Sequence, residues 1–263
     1  MIELALGAVH VWRLRVDRDR RTALPMYGLL DQAERERANR FRFERDAVRF
    51  VLTRAHLRLI LASALGVDAA AVQFRHEAAG KPRLKSEGGP WFNVSHSGAL
   101  ALLAIAAGRR VGVDVERIRP MPGGDLGLYL SAYEVREVER LPEPERQPAF
   151  FRCWTRKEAY LKARGDGLGF GLQRFSVTLD SERPPRLLHV DGEPAEPPLW
   201  DLRDLALDPA YSASLAAEAP INELFCRDID ELRCARCWFH PATFGPFAVD
   251  TNGVVSNNSI LFR

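Results

Sequence analysis

Residues 151–165 read FRCWTRKEAYLKARG. Trp154, Glu158 and Leu161 recur at i, i+4 and i+7, the spacing of one helix face. Lys157 and Lys162 flank that face. Glu158 and Lys162 form an i,i+4 pair with the acid nearer the N-terminus, the favourable order. Gly165 stands where a helix should end, and Gly167, Gly169 and Gly171 follow, so the chain turns there. A solvated helix laced with ion pairs accounts for the charges alone. It does not account for one acid between two lysines, beside a tryptophan and just ahead of a glycine-rich turn.

Upstream, VGVDVERI at 111–118 reads as a strand. Side chains alternate along a strand, so Val111, Val113 and Val115 share one side and Gly112, Asp114 and Glu116 the other. The two acids lie about 6–7 Å apart along the backbone. Such a pair repels unless a cation sits between them. Glu158 adds a third carboxylate, and three oxygen ligands suit Mg²⁺ or Mn²⁺. The competing reading leaves both acids facing solvent at a strand end.

Further back, WFNVSHSGALALLAIA at 91–106 reads as two apolar strands flanking a polar loop, Asn93 to Gly98. His96 in that loop either donates to a phosphate or is satisfied by backbone groups. Ser95-His96-Ser97 is no hydrolase triad, because neither serine sits in a nucleophile elbow. Gly80-Lys81-Pro82 is a turn, whose lysine is either solvated or an anion contact. Arg45 and Arg49 are one turn apart on a helix and can fork onto one anion, though surface helices often carry arginines.

The remaining pattern gives a first strand over 2–16, two helices over 31–63 with Asp31 as a cap, and a short strand at 72–76. Helices follow over 125–140 and 146–164, separated by Pro142 and Pro144. Short strands follow at 173–180, 186–190, 199–204 and 211–217, divided by proline-rich stretches. The order predicts two α/β halves of similar size meeting near residue 110, with no sequence repeat visible between them. The divisions are 1–110, 111–218 and a tail, 219–263. The tail loses the Ala/Arg/Leu bias and reads as peripheral to the main fold.

The 263 residues suffice for one large domain or two small ones, and the 46% hydrophobic content is that of a globular protein. No apolar run approaches the ~18 residues of a membrane span. The N-terminus lacks the basic start and cleavage site of a signal peptide. Cys153 sits alone and Cys226, Cys234 and Cys237 crowd the tail, which is no disulfide framework. These features point to a cytoplasmic protein with reduced thiols. Cys226, Cys234, Cys237 and His240 include a CxxCxxH run, but the spacing matches no standard zinc finger. The formal net charge is +2, with basic residues gathered in 13–58. That gathering suits an anionic ligand or simply solvated helices. Near-neutral charge and the absence of an RNA or DNA motif argue against nucleic-acid binding.

GVDVE at 112–116, WTRKEAYLK at 154–162, GKP at 80–82 and FNVSHS at 92–97 resemble, in order and spacing, the motifs of the 4′-phosphopantetheinyl transferases. RANRFRFERDAVRF looks like that family's N-terminal helix motif. The similarity is to the larger, pseudo-dimeric type that activates peptide and polyketide synthases. It covers about residues 1–218.

The resemblance implies an α/β (α+β) fold of two similar halves about a pseudo-twofold axis. Each half is a small, mainly antiparallel sheet packed with helices. It implies a monomer that moves the phosphopantetheine arm of coenzyme A to a serine of an acyl or peptidyl carrier protein. Adenosine 3′,5′-bisphosphate leaves. Carried over by position, Asp114, Glu116 and Glu158 would hold Mg²⁺ or Mn²⁺, and Glu158 would be the base. Lys157 and Lys162 would hold pyrophosphate oxygens, Lys162 acting in catalysis. His96 would donate to the 3′-phosphate, with Ser95 and Asn93 in the same pocket. Gly80, Lys81, Arg45 and Arg49 would meet the nucleotide. Residues 120–135 would form part of the surface for an acidic, helical carrier protein. A non-catalytic module that binds coenzyme A or carriers is the alternative. The presence of all three acids and both lysines argues against it.

Overall fold

The computed structural model describes residues 2–76, 80–120 and 125–229. Its elements run β1 (Ala8–Arg15), α1 (Arg20–Ala23), α2 (Gln32–Asn39), α3 (Glu44–Leu65), β2 (Phe74–His76), β3 (Pro82–Leu84), β4 (Trp91–Ser97) and β5 (Leu100–Ala106). They continue with β6 (Val111–Arg117), α4 (Ala132–Arg140), α5 (Glu143–Arg164), β7 (Phe175–Val177), β8 (Leu187–Val190), β9 (Trp200–Asp204), β10 (Tyr211–Glu218) and β11 (Glu223–Asp228). Two compact units result, one made chiefly of residues 15–72, the other of residues 3–14 and 73–227. The second unit therefore takes β4 and β5 together with β6 to β10, across residue 110. Among the described residues no helix is long and apolar enough to cross a membrane.

The first unit is helical. Asp31 caps α2 as the sequence suggests, and Glu34 completes a capping box by accepting the Asp31 N–H. α3 buries Val48, Val51, Leu52 and Ala55 and ends at Gly66, whose φ of +68° is left-handed. Arg58 on α3 is fully buried, and its charge is fully occupied. Nε donates to Glu34 Oε2 (2.6 Å), Nη2 to Asp31 Oδ2 (2.5 Å) and Nη1 to the Val72 carbonyl (2.8 Å).

The second unit holds two main sheets, in the orders β11-β1-β5-β4 and β6-β10-β9, and the hairpins β2-β3 and β7-β8. β6 pairs antiparallel with β10, Asp114 opposite Ser214 and Glu116 opposite Ser212. Val111, Val113 and Val115 enter a core shared with Val9, Val11, Leu102, Ala104 and Leu215. α5 starts at Glu143, earlier than its sequence pattern suggests, because Pro144 falls in the first turn, where no N–H partner is needed. α4 opens on a capping box of Ser131 and Glu134.

Two sequence expectations need correction. Asn93 to Ser97 is strand, not loop: β4 pairs residue for residue with β5, from Trp91 opposite Ala106 to Ser97 opposite Leu100. Its polar residues alternate because one face meets another strand rather than water. The tail is not wholly peripheral. Residues 223–228 form β11, the edge strand beside β1. There the Phe225 ring stacks on His10, and Arg227 Nη1 donates to His10 Nδ1 (2.9 Å). Cys226 lies on this strand, exposed; Cys234, Cys237 and His240 lie outside the described residues.

Candidate active site

The site grows from the packing of α5 on β6. Gly112 makes it possible: a Cβ there would fall 2.2 Å from the Ala159 carbonyl oxygen and 2.3 Å from the Ala163 nitrogen. With only hydrogen at that position, the helix backbone lies directly on the strand. Two and four residues on, Asp114 and Glu116 point to the same side as Gly112. Glu158 and Lys162, one helical turn apart, descend towards them from α5.

Asp114 is buried. Its Oδ1 accepts from Lys162 Nζ (2.5 Å) and Ser95 Oγ (2.7 Å), and Lys162 Nζ also donates to Ser95 Oγ (3.0 Å). Glu116 Oε2 accepts from Ser97 Oγ (2.7 Å). Asp114 Oδ2 and Glu158 Oε1 are buried with no hydrogen-bond partner. Burial raises the Glu158 carboxyl above its ordinary range; Asp114 and Glu116 push it the same way and the Lys162 ammonium pulls it back. Burial likewise raises Glu116; the Ser97 hydroxyl opposes this and the Asp114 charge adds to it.

These are carboxylates short of positive charge. Two buried oxygens without a donor are costly unless a cation or proton arrives. The donor set is hard oxygen, the kind Mg²⁺ takes alongside water and phosphate. Among the described residues no group of three His, Cys, Asp or Glu side chains already converges as a metal cluster. The Lys162 ammonium sits on Asp114 Oδ1, and Ser97 holds Glu116 Oε2. The residues present fit a cation bridged to an anionic ligand better than an all-protein cage.

Other expected site residues are placed unequally. Lys81, after Gly80 in its left-handed turn (φ +79°), reaches the end of the α5–β6 junction. Its Nζ donates to the Lys162 carbonyl and, at 3.5 Å, to that of Val111. Asn93 and Ser95 stand on the face of β4 that meets β6. His96 is exposed and, by strand alternation, points to the other face, so the three do not line one pocket. Arg45 and Arg49 belong to α3 in the helical unit. Arg49 donates to Asp46 (3.3 Å), and Arg45 is exposed beside the Phe43 ring.

Lys157 is a correction. It is fully buried, with Nζ on Glu134 Oε2 (2.5 Å) and the Phe175 carbonyl (2.6 Å). Five residues at 100° each turn it about 140° from Lys162, so the two lysines do not share a face. It is a core cation and does not hold a phosphate. Of the expected docking segment, residues 121–124 lie outside the described residues; Leu128 and Tyr133 are exposed. Sequence reasoning missed Ser97 and Glu134. The period-two alternation of Asn93, Ser95 and Ser97 and the Ser131-x-x-Glu134 capping signal were the available clues.

The chain is similar to proteins of one known family. The profile of the 4′-phosphopantetheinyl transferase superfamily matches residues 110–216, which carry the acids and α5. A second profile, 4′-phosphopantetheinyl transferase, N-terminal, matches residues 18–108. A 4′-phosphopantetheinyl transferase of Nostoc, HetI, is 38% identical over 222 residues, 82% of this chain and 90% of its own. A phosphopantetheinyl transferase of Thraustochytrium is 36% identical, over 81% of this chain and 79% of its own. A putative 4′-phosphopantetheinyl transferase of Synechocystis is 35% identical, over 62% of this chain and 68% of its own. With both profiles in sequence and a relative aligned over most of both lengths, the chain belongs to the 4′-phosphopantetheinyl transferase superfamily.

Proposed function

We propose that this protein transfers the 4′-phosphopantetheine arm of coenzyme A to a serine of an acyl or peptidyl carrier protein. The carrier serine oxygen forms a bond to the pantetheine-side phosphorus of the pyrophosphate. The bond to the bridging oxygen breaks, and adenosine 3′,5′-bisphosphate departs. The observation that carries this reading is the set of acids on β6 and α5, with buried oxygens of Asp114 and Glu158 left without a protein donor.

Asp114, Glu116 and Glu158 would hold Mg²⁺, or Mn²⁺ in its place. Such an ion supplies charge neutralisation on the pyrophosphate and the departing phosphate. Glu158 takes the serine proton. Lys162, 28% exposed at its side chain, would hold pyrophosphate oxygens in place of Asp114. Lys81, Gly80 and His96 serve the nucleotide end. The exposed Leu128 and Tyr133 belong to the carrier-docking surface.

Intact mass of an apo carrier protein, after incubation with this protein, coenzyme A and Mg²⁺, tests the proposal. A gain of one phosphopantetheine that a chelator abolishes is the expected result. No gain on several unrelated carriers, with coenzyme A still bound, would replace the proposal by a non-catalytic binding module.

A further inference from the structure

β4 and β6 are edges of two different sheets. Side chains of β4 bridge them in place of a shared backbone ladder. The Val113 N–H donates to Asn93 Oδ1 (2.9 Å), the Val115 N–H to Ser95 Oγ (3.3 Å) and the Arg117 N–H to Ser97 Oγ (3.1 Å). Residues i, i+2 and i+4 of one strand thus serve alternate N–H groups of the other. A hydroxyl that accepts an N–H still has its own proton to place. Ser95 gives it to Asp114 Oδ1 and Ser97 to Glu116 Oε2. Two of the side chains that close the seam between the sheets, Ser95 and Ser97, also hold the acids.

The two serines are not equivalent. Ser95 shares Asp114 Oδ1 with Lys162, so the lysine can hold that carboxylate alone. Ser97 is the one hydrogen-bond donor to Glu116 among the described residues. Its own position is fixed from behind. Gly98 turns the chain at φ +57°, and the Ala99 N–H donates to the Tyr211 hydroxyl (3.0 Å). A Cβ on Gly98 would meet that hydroxyl at 2.8 Å.

We propose that Ser97 is a positioning residue for the cation site. It ties down Glu116 Oε2 and leaves Oε1 as the oxygen Glu116 offers, on the strand face it shares with Asp114. Glu116, like Asp114, then presents one oxygen without a protein donor. The inference rests on the proposed transferase reading and adds a residue acting through Glu116 rather than on substrate. Outer hydrogen bonds of this kind commonly set metal affinity by about 10–100-fold.

The test is calorimetric titration of Mg²⁺ into the full chain with coenzyme A present, run on wild type, Ser97→Ala and Ser97→Thr. Ser97→Ala should weaken Mg²⁺ binding by about 10–100-fold and raise the Mg²⁺ needed for half-maximal transfer. Its KM for coenzyme A at saturating Mg²⁺ should stay near wild type. Ser97→Thr, which keeps the hydroxyl, should restore most of the affinity. On a Glu116→Gln background Ser97→Ala should add nothing, because its effect runs through that carboxylate. If Ser97→Ala does not fold, Ser97→Cys, similar in size and a poor donor, makes the same comparison. Unchanged Mg²⁺ affinity in a folded Ser97→Ala protein, or additive losses in the double variant, would overturn the inference and leave the transferase reading intact. A wild-type protein that binds no Mg²⁺ with coenzyme A would overturn both.

Discussion

Two helix pairs in this chain are built alike, and only one carries the candidate chemistry. α2 and α4 each open on a capping box, Asp31 with Glu34 and Ser131 with Glu134. α3 and α5 are each 22 residues long and end on a left-handed glycine, Gly66 and Gly165. The fifteenth residue of each long helix, counting from Glu44 and from Glu143, is a fully buried cation. Arg58 grips Glu34 Oε2 at 2.6 Å, and Lys157 grips Glu134 Oε2 at 2.5 Å. One device, a buried cation on the capping-box glutamate, fixes how a short helix sits on a long one in both places. The difference begins at the next residue, which is Leu59 in α3 and Glu158 in α5. The twentieth residue is Ser63 in one and Lys162 in the other. The candidate chemistry is added to a common scaffold by a few side chains, and Lys157 belongs to the scaffold.

The sharpest way to break that comparison is to make α5 resemble α3 where they differ. Glu158→Leu should reduce transfer to background while raising the melting temperature of the cation-free protein, by about 1 kcal/mol in stability. The sign follows from the raised carboxyl. The native state holds that proton more tightly than the unfolded chain, whose value is near 4.5, so stability falls as pH rises above about 4.5. The stabilisation by Glu158→Leu should therefore be larger at pH 8 than at pH 4. An active Glu158→Leu protein would remove the acid from the mechanism.

Next come the paired scaffold cations. Arg58→Met and Lys157→Met each strand a buried glutamate and should cost about 3–5 kcal/mol, read by denaturant unfolding. The folded fraction of Lys157→Met should keep its KM for coenzyme A; a KM raised tenfold with stability unchanged would return Lys157 to the phosphates. Gly112→Ala should cost about 3 kcal/mol, because its Cβ meets helix backbone that cannot swing aside. Smallest is Trp154→Ala. That ring is half-buried against Tyr129 and Phe150, so the loss should be about 2 kcal/mol, below the full cost of a core tryptophan.

Much of this was legible in the sequence. Alternation along VGVDV put the valines in the core and the acids on the other face, and helical spacing brought Glu158 and Lys162 to them. What escaped did so for physical reasons. The polar face of β4 looked like a loop because its partners are N–H groups of another strand rather than apolar side chains. β11 escaped because what holds it, His10 and Trp12, lies more than two hundred residues away in the chain. Lys157 is misplaced because the resemblance carries a phosphate role to it by position, and position along a helix does not say which face is buried. Its true partner, Glu134, is announced only by a capping signal on a different helix.

The most direct measurement is a crystal structure with coenzyme A and Mn²⁺, recorded where manganese scatters anomalously. The account predicts one peak at about 2.0–2.3 Å from oxygens of Asp114, Glu116 and Glu158, with Lys162 withdrawn from Asp114 onto the pyrophosphate. Coenzyme A bound with Lys162 still on Asp114, and no peak among the three acids, would contradict it.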